Sequence, residues 1–140
     1  MSDADSGQSD CVENDEVVYR RVPLKQGYSE PGGHITSANF RLRAKENGLS
    51  VYRARYRSRE EVLNVPGFPP GSFVLVSALV GRIRSLTSSA EAQLFDVFPA
   101  DDANENPGHA EIRRLEGGHI TKAEASKLRD IFAESLGKSQ

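Results

Sequence analysis

Short segments in which hydrophobic and polar residues alternate run through most of the chain, and this period of two predicts β-strands. Stretches rich in Gly, Pro, Ser and Asp separate them and predict turns and loops. Strands are predicted at residues 16–22, 34–44, 49–57, 73–76, 92–98 and 109–115.

The C-terminal segment instead has the helical period. Thr121 followed by Glu124 forms a capping box, which predicts the start of a helix. Gly137 predicts its end, because glycine accepts the left-handed conformation common after a last helical turn. The apolar residues that fall on one face of this helix are Ala125, Leu128, Ile131, Phe132 and Leu136.

Two shorter helices are predicted between strands. Ser58 with Glu61 forms a second capping box, so a short helix is expected to start there and to end before Pro66. Residues 78–86 also have helical spacing, with Ser77 as the predicted cap. This order of elements predicts an α+β fold: a single domain over residues 17–140, with a curved, mainly antiparallel sheet packed against the C-terminal amphipathic helix and one or two short helices.

Residues 1–16 are predicted to be a disordered acidic tail. They contain six acidic residues and no basic residue, and they lack apolar periodicity. Such a start excludes a secretory signal. The single cysteine, Cys11, excludes an internal disulfide, and no apolar run approaches the ~20 residues of a membrane span. The composition therefore predicts a cytoplasmic protein with no membrane partner.

The charge is unevenly distributed along the chain. The net charge is −2, but after the acidic tail there are 18 basic and 14 acidic residues, a net charge of +4. Residues 34–44 and 49–57 predict a basic β-hairpin, in which a three-residue loop ending at Gly48 pairs Leu42 with Tyr52. The arginines predicted to bind an anion on this hairpin are Arg41, Arg43, Arg53, Arg55 and Arg57.

This hairpin predicts a non-catalytic binding module whose partner is a nucleic acid or an acidic protein surface. Two alternatives remain open: a solvated outer face, and an arginine face covered by the chain's own acidic tail. The pattern places tyrosines on the face opposite the arginines, which argues against a base-stacking platform for single strands. The oligomeric state is not predicted.

Several catalytic and metal sites can be excluded. The triplet His109-Ala110-Glu111 has the form that opens the zinc site of nucleoside deaminases. The paired cysteines of that site are missing, since Cys11 is the only cysteine. The three histidines lack the spacing of a metal site, so no metal and no resident cofactor is predicted.

Three segments resemble, in their order, the dispersed motif of ADP-ribosyltransferases and the related RES-type toxins: "VVYRRV", "ITSANF" and "GHAEI". The resemblance implies an alternative function, an enzyme that uses NAD. Arg20 would hold the pyrophosphate, Ser37 would orient Arg20 or the ribose, and Glu111 would stabilise positive charge at C1′. His109 stands where the family has the first glutamate of its Glu-x-Glu pair.

The chain also resembles a group of small bacterial proteins without an established activity. The shared motifs are Arg-x-Pro, Ser-(Ser/Ala)-x-Phe before Leu-Ser-Val, and Asn-Pro-(Ala/Gly)-His-Ala, which includes Asn106 and His109. The resemblance covers residues 17–115 and implies a bacterial origin and an autonomous domain. His109 would then either hydrogen-bond within the preceding loop or bind a ligand. A partner or immunity-type interaction protein is a third possibility, without a sequence signature.

Overall fold

The protein was analysed as a computed structural model, which describes residues 10–30 and 34–137. Its centre is an antiparallel sheet of five strands in the order β5-β1-β4-β7-β6. The strands are β1 (Val17–Pro23), β4 (Leu49–Arg53), β5 (Phe73–Leu79), β6 (Phe95–Pro99) and β7 (His109–Arg114). A separate two-stranded ladder is formed by β2 (Ser29–Glu30) and β3 (His34–Ile35).

Three α-helices and one 3₁₀ helix complete the described residues: α1 (Arg59–Leu63), α2 (Val80–Arg84), α3 (Lys122–Gly137) and the 3₁₀ helix Ser37–Phe40. Both predicted capping boxes are confirmed. Ser58 and Glu61 form the capping box of α1. At α3, the Thr121 side chain accepts a 3.1 Å hydrogen bond from Glu124 N, and the Glu124 carboxylate accepts one from Thr121 N. The predicted cap at Ser77 is wrong, because β5 continues to Leu79 and α2 starts after it.

The predicted α+β fold, with a curled antiparallel sheet and a C-terminal helix, is confirmed. The core lies between the sheet and α3, which packs on β5 and on the 3₁₀ helix. Phe132 of α3 and Phe40 of the 3₁₀ helix are fully buried, with ring centroids 5.2 Å apart. No helix within the described ranges is long and apolar enough to cross a membrane.

The sheet has two chemically different faces because side chains alternate along each strand. The inner face carries the buried Val18, Val51 and Ile112. The outer face carries Tyr52 and its register partner His109, and α1 covers the part of it formed by β1 and β5.

The predicted basic hairpin is wrong. Residues 34–44 form only the short β3 and the 3₁₀ helix, since Phe40 is drawn into the core beside Phe132. Strand β4 pairs with β1 and β7 instead. The left-handed residue of the intervening loop is Lys45, with φ 74°, and not Gly48.

The predicted disordered tail differs from the structure over residues 10–16. Val12 is buried in the core cluster, and Glu16 is only 8% exposed. Glu13 N donates a 2.8 Å hydrogen bond to the Glu16 carboxylate, which closes a turn ahead of β1. The rest of the predicted tail, residues 1–9, lies outside the described residues.

Candidate functional site

A cleft opens where β1 and β4 separate. Their register covers only Val18↔Arg53 and Tyr19↔Tyr52, after which β1 continues along β5 and β4 continues along β7. The 3₁₀ helix and the loop after it border the resulting cavity of about 480 Å³. We call it the arginine cleft, because its lining includes Arg20, Arg21, Arg41 and Arg43.

Arg20 spans the cleft floor. Its Nε donates a 3.0 Å hydrogen bond to the Asn39 carbonyl, and its Nη1 donates a 2.6 Å bond to the Ser50 carbonyl. Burial lowers the pKa of Arg20 to about 10; attraction to Glu46 opposes this effect, and weaker repulsion from Arg43 and from Arg21 adds to it. The guanidinium remains charged at neutral pH in a partly dehydrated setting, where its attraction for an anion is strengthened.

Aromatic side chains share the cleft with the arginines. Arg21 lies over the Tyr52 ring, 5.0 Å from its centroid, and over the Phe73 ring at 6.0 Å. Its Nη1 donates a 2.7 Å hydrogen bond to the Val62 carbonyl of α1, which holds the side chain in place. Tyr28 also lines the cavity. The cleft therefore offers flat apolar surfaces next to positive charge.

Arg41 and Arg43 are the unengaged cations of this cleft. Both are exposed, and neither guanidinium forms a hydrogen bond or ion pair with another residue in the described ranges. Among the lining residues that the structure describes, the only acidic one is Glu46, whose carboxylate accepts a 2.7 Å hydrogen bond from Arg43 N. Four arginines therefore face one carboxylate, a net charge of +3 in the lining.

A chain of hydrogen bonds begins at the cleft wall and continues along the outer face of the sheet. The Ser50 hydroxyl lies 3.0 Å from Nε2 of His109, and Nδ1 of His109 lies 2.6 Å from a carboxylate oxygen of Asp102. The hydrogen bond from His109 is the main reason why the pKa of Asp102 is lowered. The Tyr52 ring stacks against the imidazole at a centroid distance of 5.3 Å.

The arginines predicted for the hairpin are divided between two places. Arg41 and Arg43 line the cleft, whereas Arg53 is fully buried and pairs with Glu16 at 2.7 Å and with Asp10 at 2.9 Å. Its predicted role on an exposed anion-binding face is therefore wrong.

The two remaining hairpin arginines also have partners within the chain. Arg55 lies 3.7 Å from both Asp10 and Glu16. Arg57 donates hydrogen bonds to the Pro107 carbonyl and to the side chain of Asn106. Asn106 therefore supports the loop before β7.

The three residues of the NAD-dependent alternative do not share one cleft in the described structure. Arg20 lines the arginine cleft, whereas Ser37 and Glu111 are absent from its lining. Glu111 lies on the outer face and pairs with Arg113 at 2.9 Å, and Ser37 begins the 3₁₀ helix. Within residues 10–30 and 34–137, no group of three His, Cys, Asp or Glu side chains could hold a metal ion.

Sequence reasoning missed Arg21, Ser50 and Asp102. Ser50 is the centre of the Leu-Ser-Val motif, and His109 belongs to the Asn-Pro-Gly-His-Ala motif, so two short motifs without an assigned role point to the same place. Register brings them together, since Ser50 pairs with Glu111 and Tyr52 with His109. Comparison with protein-family models, with curated proteins and with solved structures finds no match to this chain.

Proposed function

We propose that the protein binds a phosphate-bearing ligand in the arginine cleft, and that this ligand is a nucleotide, either free or within a single strand. The observation that carries the proposal is the charge of the lining: its described residues include four arginines and one acidic residue, around a cavity of about 480 Å³. Guanidinium groups hydrogen-bond phosphate oxygens in pairs, which makes arginine the usual residue for this recognition.

The arginines have different parts in such a site. Arg20 donates its hydrogen bonds to two backbone carbonyls, so it contributes mainly positive charge to the site. The guanidinium groups of Arg41 and Arg43 can donate hydrogen bonds to a phosphate, because they form none with another residue in the described ranges. A bound phosphate would offset the repulsion among Arg20, Arg21 and Arg43 that contributes to the lowered pKa of Arg20. Ligand binding should therefore stabilise the folded protein.

The aromatic lining favours a nucleotide over inorganic phosphate. Tyr28 and Phe73 line the same cavity as the arginines, so a base could contact an aromatic ring while its phosphate is bound, whereas the Tyr52 ring is already covered by Arg21 and His109. The objection that tyrosines and arginines lie on opposite faces applied to the predicted hairpin, which does not form. The cavity also has the size of a small-ligand site, about 300–1,000 Å³. Its concave shape favours a nucleotide over a broad acidic protein surface.

The test is fluorescence anisotropy with a fluorescent ATP analogue and with short single-stranded DNA and RNA, at low and moderate salt. We expect binding that weakens as salt rises, and a loss of at least about tenfold in affinity for Arg43→Gln, since a hydrogen bond to a charged group is lost. Arg41→Gln should behave in the same way. The matched control is Arg129→Gln on α3, where the arginine pairs with Asp130 outside the cleft.

The ATP analogue and the single strands distinguish a free nucleotide from a nucleic acid as the ligand. Binding of the ATP analogue alone identifies a free nucleotide, and tighter binding of the strands identifies a nucleic acid. Binding to neither probe, or an equal loss in Arg129→Gln and Arg43→Gln, would overturn the proposal. An acidic protein partner would then be the remaining candidate.

A further inference from the structure

We propose that Ser50, His109 and Asp102 form a nucleophile, base and orienting carboxylate that hydrolyse a carboxylic ester. The ester would belong to an anionic molecule bound in the arginine cleft. Only this preference for an anionic substrate rests on the proposed function, because the hydrogen-bonded chain of three residues stands independently of it.

The geometry matches what an activated serine requires. The Ser50 hydroxyl lies 3.0 Å from Nε2 of His109, and the opposite ring nitrogen lies 2.6 Å from Asp102. A carboxylate at Nδ1 holds the proton there and leaves the Nε2 lone pair facing the hydroxyl. This order of groups on unrelated folds is recognised by its distances and roles, whatever the chain positions.

Two further contacts hold the imidazole in this orientation. The ring stacks on Tyr52, and His109 N donates a 3.0 Å hydrogen bond to the Asn106 carbonyl at the junction of loop and strand. The main cause of the low pKa of Asp102 is its hydrogen bond to His109, so the carboxylate stays ionised at neutral pH. The base is therefore positioned before any ligand arrives.

The position of Ser50 links this chain to the arginine cleft. Ser50 lines the cleft, and its carbonyl accepts a 2.6 Å hydrogen bond from Arg20 on the cleft floor. A substrate whose phosphate or carboxylate is bound by Arg41 and Arg43 would have its ester group near the Ser50 hydroxyl. The positive lining would also stabilise the oxyanion that forms during the reaction.

Structural support of the loop between β6 and β7 does not explain why Ser50, His109 and Asp102 are hydrogen-bonded in a row. Asp102 is 51% exposed at its side chain and Ser50 is exposed, so neither polar group needs a protein partner to offset burial. The loop before β7 has other anchors, since Arg57 donates to the Pro107 carbonyl and to Asn106. The alignment of the exposed Ser50 and Asp102 on the two ring nitrogens of the half-buried His109 is therefore better explained by chemistry.

The proposed reaction proceeds in two steps. The Ser50 oxygen attacks the ester carbonyl carbon while its proton passes to Nε2 of His109, and collapse of the tetrahedral intermediate breaks the carbon–oxygen bond to the alcohol. His109 returns the proton to the departing alkoxide. Water, deprotonated by His109, then attacks the acyl-serine; the bond between the acyl carbon and the Ser50 oxygen breaks, His109 returns the proton to that oxygen, and the carboxylic acid is released. One ester and one water give one acid and one alcohol.

The first experiment is labelling with a fluorophosphonate probe, which phosphonylates activated serines, followed by peptide mass spectrometry. We expect an adduct on Ser50 in the full chain and none on that peptide in Ser50→Ala. The adduct should form at least about 100-fold more slowly in His109→Gln, since general bases contribute 10²–10⁴-fold. Ser89→Ala replaces an exposed serine before β6 and should label like the unmodified protein.

The second experiment compares the hydrolysis of neutral 4-nitrophenyl acetate with that of the anionic mono-4-nitrophenyl ester of succinic acid. Arg43→Gln should raise KM for the anionic ester by a larger factor than for the neutral ester, whereas Arg129→Gln, outside the cleft, should leave the hydrolysis of both esters unchanged. Asp102→Asn should lower kcat for both esters while KM is unchanged, because Asp102 acts on the orientation of His109. A purely structural carboxylate would instead change the melting temperature without this split.

The outcomes distinguish this inference from the proposed function. If nucleotide binding is retained but Ser50 is not labelled and neither ester is hydrolysed, the proposed triad is wrong and the binding site stands. If Ser50 is labelled and the neutral ester is hydrolysed without preference for the anionic ester or nucleotide binding, the triad stands and the anionic substrate is wrong.

Discussion

Glu16 and Arg53 form a buried ion pair through two hydrogen bonds of 2.7 Å, from Nε to Oε1 and from Nη2 to Oε2. Arg53 is fully buried on the inner face of β4, and Glu16 immediately precedes β1. Asp10 adds a second carboxylate at 2.9 Å. The pair therefore ties the N-terminal segment to the centre of the sheet.

Removal of one partner of this pair should destabilise the protein strongly. We expect Glu16→Gln to lower the free energy of unfolding by about 3 kcal/mol, since it leaves the Arg53 guanidinium buried with less compensating charge. Urea denaturation at neutral pH measures the change. Asp15→Asn, a neighbouring exposed carboxylate, is the control and should change stability by less than about 0.5 kcal/mol. Equal effects of both variants would contradict the assigned role of the pair.

Stability should fall in acid through the buried Glu16 and the partly buried Glu124. Burial tends to raise the pKa of Glu16, but hydrogen bonds from Arg53 and from Glu13 N outweigh this effect and leave the pKa below 4.5. Glu124 follows the same pattern, with hydrogen bonds from Arg114 and Thr121 N outweighing burial.

The sign of the pH effect follows from these lowered pKa values. The unfolded chain takes up protons at a higher pH than the folded chain, so the stabilisation is complete above the ordinary value of 4.5 and is lost as pH falls through the folded values. Urea denaturation at a series of pH values should show a decline below about 4.5 that is shallower in Glu16→Gln. A flat profile in this range would contradict the prediction.

Arg20 should affect both stability and binding, whereas Arg43 should affect binding alone. Arg20→Met removes the donors for the Asn39 and Ser50 carbonyls, which should cost about 1–3 kcal/mol and loosen the cleft floor. Arg43→Gln should change stability by less than about 0.5 kcal/mol, because its side chain has no hydrogen-bond or ion-pair partner in the described ranges. Thermal unfolding and nucleotide anisotropy, measured on both variants, test this separation. Full stability of Arg20→Met would contradict it.

Gly48 should tolerate no side chain because β4 begins in close contact with β7. A Cβ atom at this position would lie 2.9 Å from Cγ of Arg113 and 2.9 Å from Cβ of Glu111. We expect Gly48→Ala to lower the free energy of unfolding by about 1–3 kcal/mol through overpacking. The control is Asn47→Ala at the exposed neighbouring position. Unchanged melting temperatures for both variants would mean that β7 can move away from β4.

The elements predicted correctly depend on interactions between near neighbours in the chain. The capping boxes at Ser58 and Thr121 use side chains three residues from their backbone partners, so their residue types are enough to predict both helix starts. The strands at 16–22, 92–98 and 109–115 were likewise predicted close to their observed bounds.

The errors arise where distant residues compete with local pattern. Alternation shows that the two faces of a strand differ, but it does not show which face is buried. Arg53 alternates with Tyr52, so the pattern predicts it on the outer face with the other arginines, although Glu16 and Asp10 allow it to be buried. Phe40 ends the predicted strand 34–44 because it packs against Phe132 of α3, a contact that no local pattern contains.

Local chemistry along the chain thus accounts for most strands, both capped helices and the α+β class, since each follows from propensity, periodicity or a cap within a few residues. The candidate site depends on long-range pairing. The separation of β1 from β4 opens the arginine cleft, and the register of β4 with β7 sets Ser50 beside His109, while Asp102 comes from the loop between β6 and β7. The separation of β1 from β4 and the register of β4 with β7 have the same physical cause. Burial of the core selects one register among the many that the individual strands would accept.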